Sequence, residues 1–197
     1  MRFSQLCLSA SVAAALGVAV SATSGLAAQA PAAVDRDFLV AAHQINLTEI
    51  ATAKDAEKSA TDPCVKSVAA HFVSDHRRLD AGVVSVARKL HVSLPNSMPS
   101  AQRRDLDALK RLARRPAYNT TWLGAQSSGH EQALRIIDKE LASGKDPQAK
   151  ALAREARTAV ARHLALVRGG KCRRPGAKTP ATKKGRTPAK SATPHRG

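Results

Sequence analysis

From residue 35 to residue 167, apolar side chains recur every three or four positions in four long stretches, and strand-like alternation is nowhere sustained. The first stretch, about Asp35 to Lys58, carries Phe38, Ala41, Ala42, Ile45, Ala53 and Ala56 at helical spacing. The second is announced by Asp62 as N-cap and Pro63 in the first turn, and its stripe is Val65, Val68, Phe72, Leu79, Val83, Val86 and Leu90. Prolines mark SLPNSMPS as a loop, and a shorter helix is predicted from about Ser100 to Arg114. Pro116 separates it from a helix over about Ala117 to Ala142, with Leu123, Leu134, Ile137 and Leu141 on its stripe. Gly144 stops that helix, Asp146 and Pro147 start the last, and Gly169 and Gly170 end it. Four long helices and a short one with tight links specify an all-α antiparallel bundle.

Two topologies fit this order. In a simple up-down bundle the short helix is a corner. In a ferritin-like four-helix bundle it is the extra crossover that carries the chain back along the bundle. Cys64 at the start of the second helix and Cys172 just past the last discriminate between them. Without a crossover they would stand about 30 Å or more apart, whereas a disulfide needs Cα atoms within about 7 Å. A pairing of Cys64 with Cys172 selects the crossover.

The ends of the chain are different in kind. Arg2, the apolar run LCLSASVAAALGVAVSA and the small residues of GLAAQA read as a signal peptide over residues 1–30, with cleavage between about Ala27 and Ala30. The expected location is periplasmic or secreted, where two remaining cysteines pair by default. Of the net charge of +17, nine basic residues fall in 171–197, which hold no acid. That leaves residues 31–170 as the bundle domain, with 22 basic and 15 acidic side chains. The tail mixes Pro, Ala, Thr and Lys and cannot bury a core, so disorder is expected there. Lys171, Arg173, Arg174, Lys178, Lys183, Lys184, Arg186 and Lys190 would suit an anionic cell-envelope polymer or membrane surface. Its lack of aromatic residues for base stacking and the export signal weigh against nucleic acid. A merely solvating tail is the competing reading.

Polar residues stand on the apolar stripes. Glu49 follows Ile45 by four, His76 follows Phe72 by four, His130 precedes Leu134 by four and His163 follows Val160 by three. Each long helix thus sends one metal-competent group inward, suited to iron, zinc or copper, with Asp75 placed to orient a ligating ring. The alternative is a buried network in which these groups satisfy one another. Levels along the bundle put His76 and His130 about 20 Å from the cysteine end, Glu49 about 13 Å and His163 about 8 Å. On that count Glu49 shares a site with the first two, and His163 sits one to two turns away. The Glu-x-x-His pairs of di-iron carboxylate proteins are missing, because Val73 and Val160 stand three before His76 and His163. No phosphate-binding glycine loop and no G-x-S-x-G occurs, so a non-enzymatic protein is expected.

Asn46-x-x-Glu49, VKSVAAHFVSDH, the Gly129-His130 step and the late ARHLA together resemble a bacterial exported family known as domain of unknown function 4142. The resemblance covers about residues 35 to 168. It implies a ferritin-like fold and no assigned activity, and Glu49, Asp75, His76, His130 and His163 match the family's polar motif. Trp122 departs from it, standing where a tyrosine is usual.

Overall fold

The computed structural model describes residues 31–176. The expected signal peptide and Lys178, Lys183, Lys184, Arg186 and Lys190 of the tail therefore lie outside the described residues. Within them the chain is all-α, with helices α1 (Ala33–Ser59), α2 (Pro63–Lys89), α3 (Ser100–Lys110), α4 (Pro116–Ser143) and α5 (Pro147–Val167), and no strand. A 3-10 turn, Arg168–Gly170, follows α5. No helix among the described residues is long and apolar enough to cross a membrane.

The helix boundaries follow from local chemistry. The Asp62 carboxylate accepts the Cys64 N–H at 2.7 Å, and Asp146 accepts those of Gln148 and Ala149 at 2.8 Å. Each cap satisfies donors that the first turn leaves free, a contribution of about 1 kcal/mol. Gly169 and Gly170 end the last helix at φ 67° and 69°, the left-handed region that glycine enters without strain. Gly144 is needed for another reason. Its φ is −57°, but a Cβ there would run into the side chain and carbonyl of Glu140. The short helix is a turn shorter than its pattern suggests. Residues 111–114 form turns, because Arg114 adopts φ 62° to place its N–H on the Ser59 carbonyl at 2.8 Å.

Cross-helix pairs give the arrangement. His43 with Asp80 and Asn46 with His76 join α1 to α2 in antiparallel register. Asp138 with Arg157 and His130 with His163 do the same for α4 and α5. Asp75 with His163 and Arg78 with Glu155 join α2 to α5, and Asp55 with Tyr118 joins α1 to α4. The four long helices thus close a ring, α1–α2–α5–α4, in which every neighbouring pair is antiparallel. Lys89 meets Gln148 at one end, while Asn119 at the start of α4 meets Thr61 at the other. The loop after α2 and α3 therefore return the chain along the outside, against α1 and α4. Cys64 and Cys172 fall at one end and form a disulfide, with Cα atoms 6.1 Å apart. Lys171, Arg173 and Arg174 are exposed at that end, and the Arg173 N–H turns back onto the Leu166 carbonyl at 2.8 Å.

Two apolar cores fill the ring. One, around Phe72, Tyr118, Trp122 and Val167, lies towards the disulfide. The other, around Phe38, Leu39, Val83, Ile137 and Leu152, fills the far end. A layer of buried polar side chains separates them: Asn46, Glu49, His76, Gln126, His130 and His163. Two helices are rotated relative to their sequence stripes. In α4, Ala133, Ile137 and Glu140 are buried and Leu134 and Leu141 only partly so; in α1, Ala41, Ala42 and Ile45 lie at the edge of the core.

A second polar feature closes the far end. Asp35 and Glu140 are both fully buried. One Asp35 oxygen accepts the N–H groups of Lys145 and Asp146 at 2.9 and 3.1 Å, which holds the α4–α5 turn against α1. Burial and the adjacent Asp35 carboxylate push the Glu140 carboxyl up to about 7. A raised carboxyl stabilises the fold fully below its ordinary 4.5, and that contribution is lost as pH rises through about 7. Thermal midpoints are accordingly expected to decline as pH rises from about 4.5 through about 7. Glu140→Gln should flatten that decline, and an unchanged slope in the variant would rule this pair out as its source.

Candidate metal centre

The polar layer is built from four helices whose side chains lean towards their own N-termini. His76 on α2 leans towards the disulfide end, and His163 on antiparallel α5 leans away from it. Cα levels that differ by about two turns therefore converge on one point. The ring centroids of His76 and His163 are 5.1 Å apart, those of His130 and His163 5.4 Å, and those of His76 and His130 5.8 Å. This corrects the level count, which placed His163 away from the other two and Glu49 with them. The count measured backbone heights and left out the lean.

Phe72 is the floor of the site, its ring 4.4 Å from that of His163 and 5.0 Å from that of His130. All three histidines are at most 2 % exposed. Burial first, then mutual repulsion, holds the His76 imidazole well below its ordinary value. The same causes bring His163 down to about 4, against an opposing pull from Asp75. Both rings are neutral at pH 7.

Each ring is anchored through one nitrogen. His76 Nδ1 faces Asn46 Oδ1 at 2.9 Å, His130 Nδ1 faces the Gln126 carbonyl at 2.8 Å, and His163 Nε2 faces Asp75 Oδ2 at 2.9 Å. All three partners are acceptors, so each ring donates an N–H outward. The inner nitrogens, His76 Nε2, His130 Nε2 and His163 Nδ1, are left as lone pairs. His76 Nε2 has no hydrogen-bond partner, and the other two face each other at 3.3 Å. One donor atom from each histidine lies within 4.8 Å of the others. No donor among them satisfies the rest, and the three nitrogens could together hold a metal ion.

Asp75 orients His163 across the helix interface, not its neighbour His76. Consecutive helical residues point about 100° apart, so Asp75 faces α5 while His76 faces the core. A second set, His71, Asp75 and His163, reaches outward from the centre, with His71 half-buried. Glu49 is not in either set. Its carboxyl is buried beside Gln126 and His130, over the backbone of Gly129, with burial raising it and those two partners lowering it. Helical spacing singled out neither Asn46 as an anchor nor His43 as a buried group. His43 is buried and bridges Asp80 and the Pro95 carbonyl at 2.7 and 3.0 Å.

The sequence matches a family described as "Domain of unknown function (DUF4142)" over residues 20–169. The fold is similar to the crystal structure of a DUF305 fragment from Deinococcus radiodurans, at 13 % identity and a TM-score of 0.62. That likeness covers 72 % of this chain and 97 % of the fragment. No curated protein matches the sequence.

Proposed function

The chain belongs to the DUF4142 family, a name that assigns no chemistry, and from the site itself we propose a transition-metal-binding protein on a ferritin-like bundle, with His76, His130 and His163 as ligands. The observation that carries this reading is the convergence of three bare imidazole nitrogens with their outer nitrogens already anchored. Metal–nitrogen bonds of about 2.0–2.1 Å in a tetrahedral set put ligand atoms about 3.3 Å apart, and His130 Nε2 and His163 Nδ1 are 3.3 Å apart. Anchoring by Asn46, Asp75 and the Gln126 carbonyl fixes ring orientation before a metal arrives. A self-satisfied network is the poorer account, because the inner nitrogens have no donor to share.

The donor set favours zinc or copper over iron. Three imidazoles suit the first two, whereas non-haem iron commonly adds a carboxylate, and Glu49 stands outside the mutual set. Binding storage or delivery, not turnover, is the proposed role. We place it in an oxidising compartment, which the Cys64–Cys172 disulfide supports. The basic tail is proposed to hold the protein at an anionic envelope surface.

Protein purified without a histidine tag should carry or take up about one zinc or copper ion per chain after dialysis, as three ligands form one site. Metal content at background in both native and reconstituted protein would defeat the proposal. Because burial lowers His163 to about 4, protons compete poorly at neutral pH. The metal should stay bound through pH 6 and leave only on further acidification. Ordinary histidines, with a pKa of about 6.5, would meet proton competition at a higher pH and release the metal earlier in the same titration.

A further inference from the structure

A cavity of about 630 Å³ lies between α1, α3 and α4. Its apolar wall includes Ile45, Leu106, Leu109 and Ile136. Four buried polar atoms among its lining residues have no hydrogen-bond partner: Glu49 Oε2, Gln102 Oε1, Trp122 Nε1 and Gln126 Oε1. Glu49, Trp122 and Gln126 are each more than nine-tenths buried. Leaving such groups unpaired is costly, and their concentration at one cavity points to an occupant that pairs them.

The chemistry of that occupant can be read from the wall. Acceptors outnumber the single donor by three to one among the unpartnered atoms. The lining carries two carboxylates, Glu49 and Asp105, and no Lys, Arg or His, although the whole chain has a net charge of +17. A ligand that supplies several N–H donors and a positive charge matches this wall, and a carboxylate or phosphate does not. Apolar side chains accompany the polar ones, so the remainder of the ligand is hydrocarbon.

We propose that this cleft binds a small organic cation, a primary ammonium head on Glu49 and Gln126 with a short apolar body along Leu106 and Leu109. The ammonium offers three donors, enough for Glu49 Oε2 and Gln126 Oε1, which lie side by side. The size of the cavity falls in the range of small-molecule sites. This assignment does not depend on a metal at the histidine centre, since none of the three imidazoles lines the cleft. It gives Glu49 a role that the ligand set at the centre leaves open.

Trp122 is the only tryptophan and lies in the wall, so its emission reports on the cleft. Hexylamine, 1-hexanol and hexanoate serve as probes of equal body and different head. Saturable change with hexylamine is expected, about tenfold or more tighter than with hexanol, the worth of one charge-assisted hydrogen bond, and none with hexanoate. Glu49→Gln should bring hexylamine to the level of hexanol. Ala125→Phe, which fills the cleft from an exposed position on α4, should remove binding of both. Should Glu49→Gln not fold, the ranking of the three heads on the native protein decides alone. Equal binding of all three, tighter hexanol, or no saturation overturns the proposal. So does a folded Glu49→Gln that binds hexylamine as the native protein does.

Discussion

Replacing His130 with alanine is expected to bring bound zinc or copper from about one equivalent to background, while helix content by circular dichroism stays native. His130 offers Nε2 to the centre, facing His163, and spends Nδ1 on a carbonyl of its own helix, so its removal takes away a ligand and leaves the anchors of the other two rings, Asn46 and Asp75, in place. His76→Ala and His163→Ala should remove metal as completely, but each also breaks a bond to a neighbouring helix, to Asn46 and Asp75 respectively. Asp75→Ala should weaken binding by about 10–100-fold without abolishing it, the usual effect of removing a group that orients a ligand. Glu49→Gln should leave affinity nearly unchanged. Thermal stability gives an independent reading. A metal held a thousandfold above its dissociation constant adds about 4 kcal/mol to the native state, which for a domain of this size is about 10 °C in Tm. A His130→Ala protein that keeps its metal and its metal-dependent Tm would remove these histidines from the ligand set.

Cys64→Ser is expected to lower Tm by about 10 °C. The disulfide closes a loop with a sequence separation of 108 residues, and releasing a loop of that size from its constraint costs about 4 kcal/mol in the chain-entropy model. The native geometry favours the full effect, because Cys64 and Cys172 are partly buried against the Phe72–Trp122 core. Cys172→Ser should match it, and the double variant should be no worse than either, since all three lack the same link. Calorimetry on the three variants at one pH checks this. A shift of a degree or less would mean that the open chain already holds its ends together.

Most of the scaffold was legible because proline, aspartate caps and glycine mark helix ends by local chemistry. Pro63, Pro116 and Pro147 open α2, α4 and α5 where the sequence places them. The inward positions of His76, His130 and His163 followed from helical spacing alone. What the spacing does not carry is which groups meet across helices. Asp75 beside His76 in sequence serves His163 on another helix, and Asn46 serves His76. Those contacts depend on helix rotation and on the opposed lean of side chains in antiparallel neighbours. The buried Glu140 shows the same limit. It stands three after Ile137, so its position hinted at the core, but only the rotation of α4 turns it onto Asp35. The cleft beneath α3 depends on how a short helix sits on two long ones, for which the stripe of Leu106 and Leu109 gives no measure.

The covalent link between Cys64 and Cys172 divides the molecule in a way that the helical ring does not. It makes a macrocycle that contains α2, α3, α4 and α5, and with them all three imidazoles; α1 is threaded outside it, joined only through Ala60, Thr61 and Asp62. α1 contributes an anchor and a wall but no ligand to the centre. The three ligands therefore lie on one closed covalent loop, against which α1 is held by packing and by hydrogen bonds, among them those to α2 and α4.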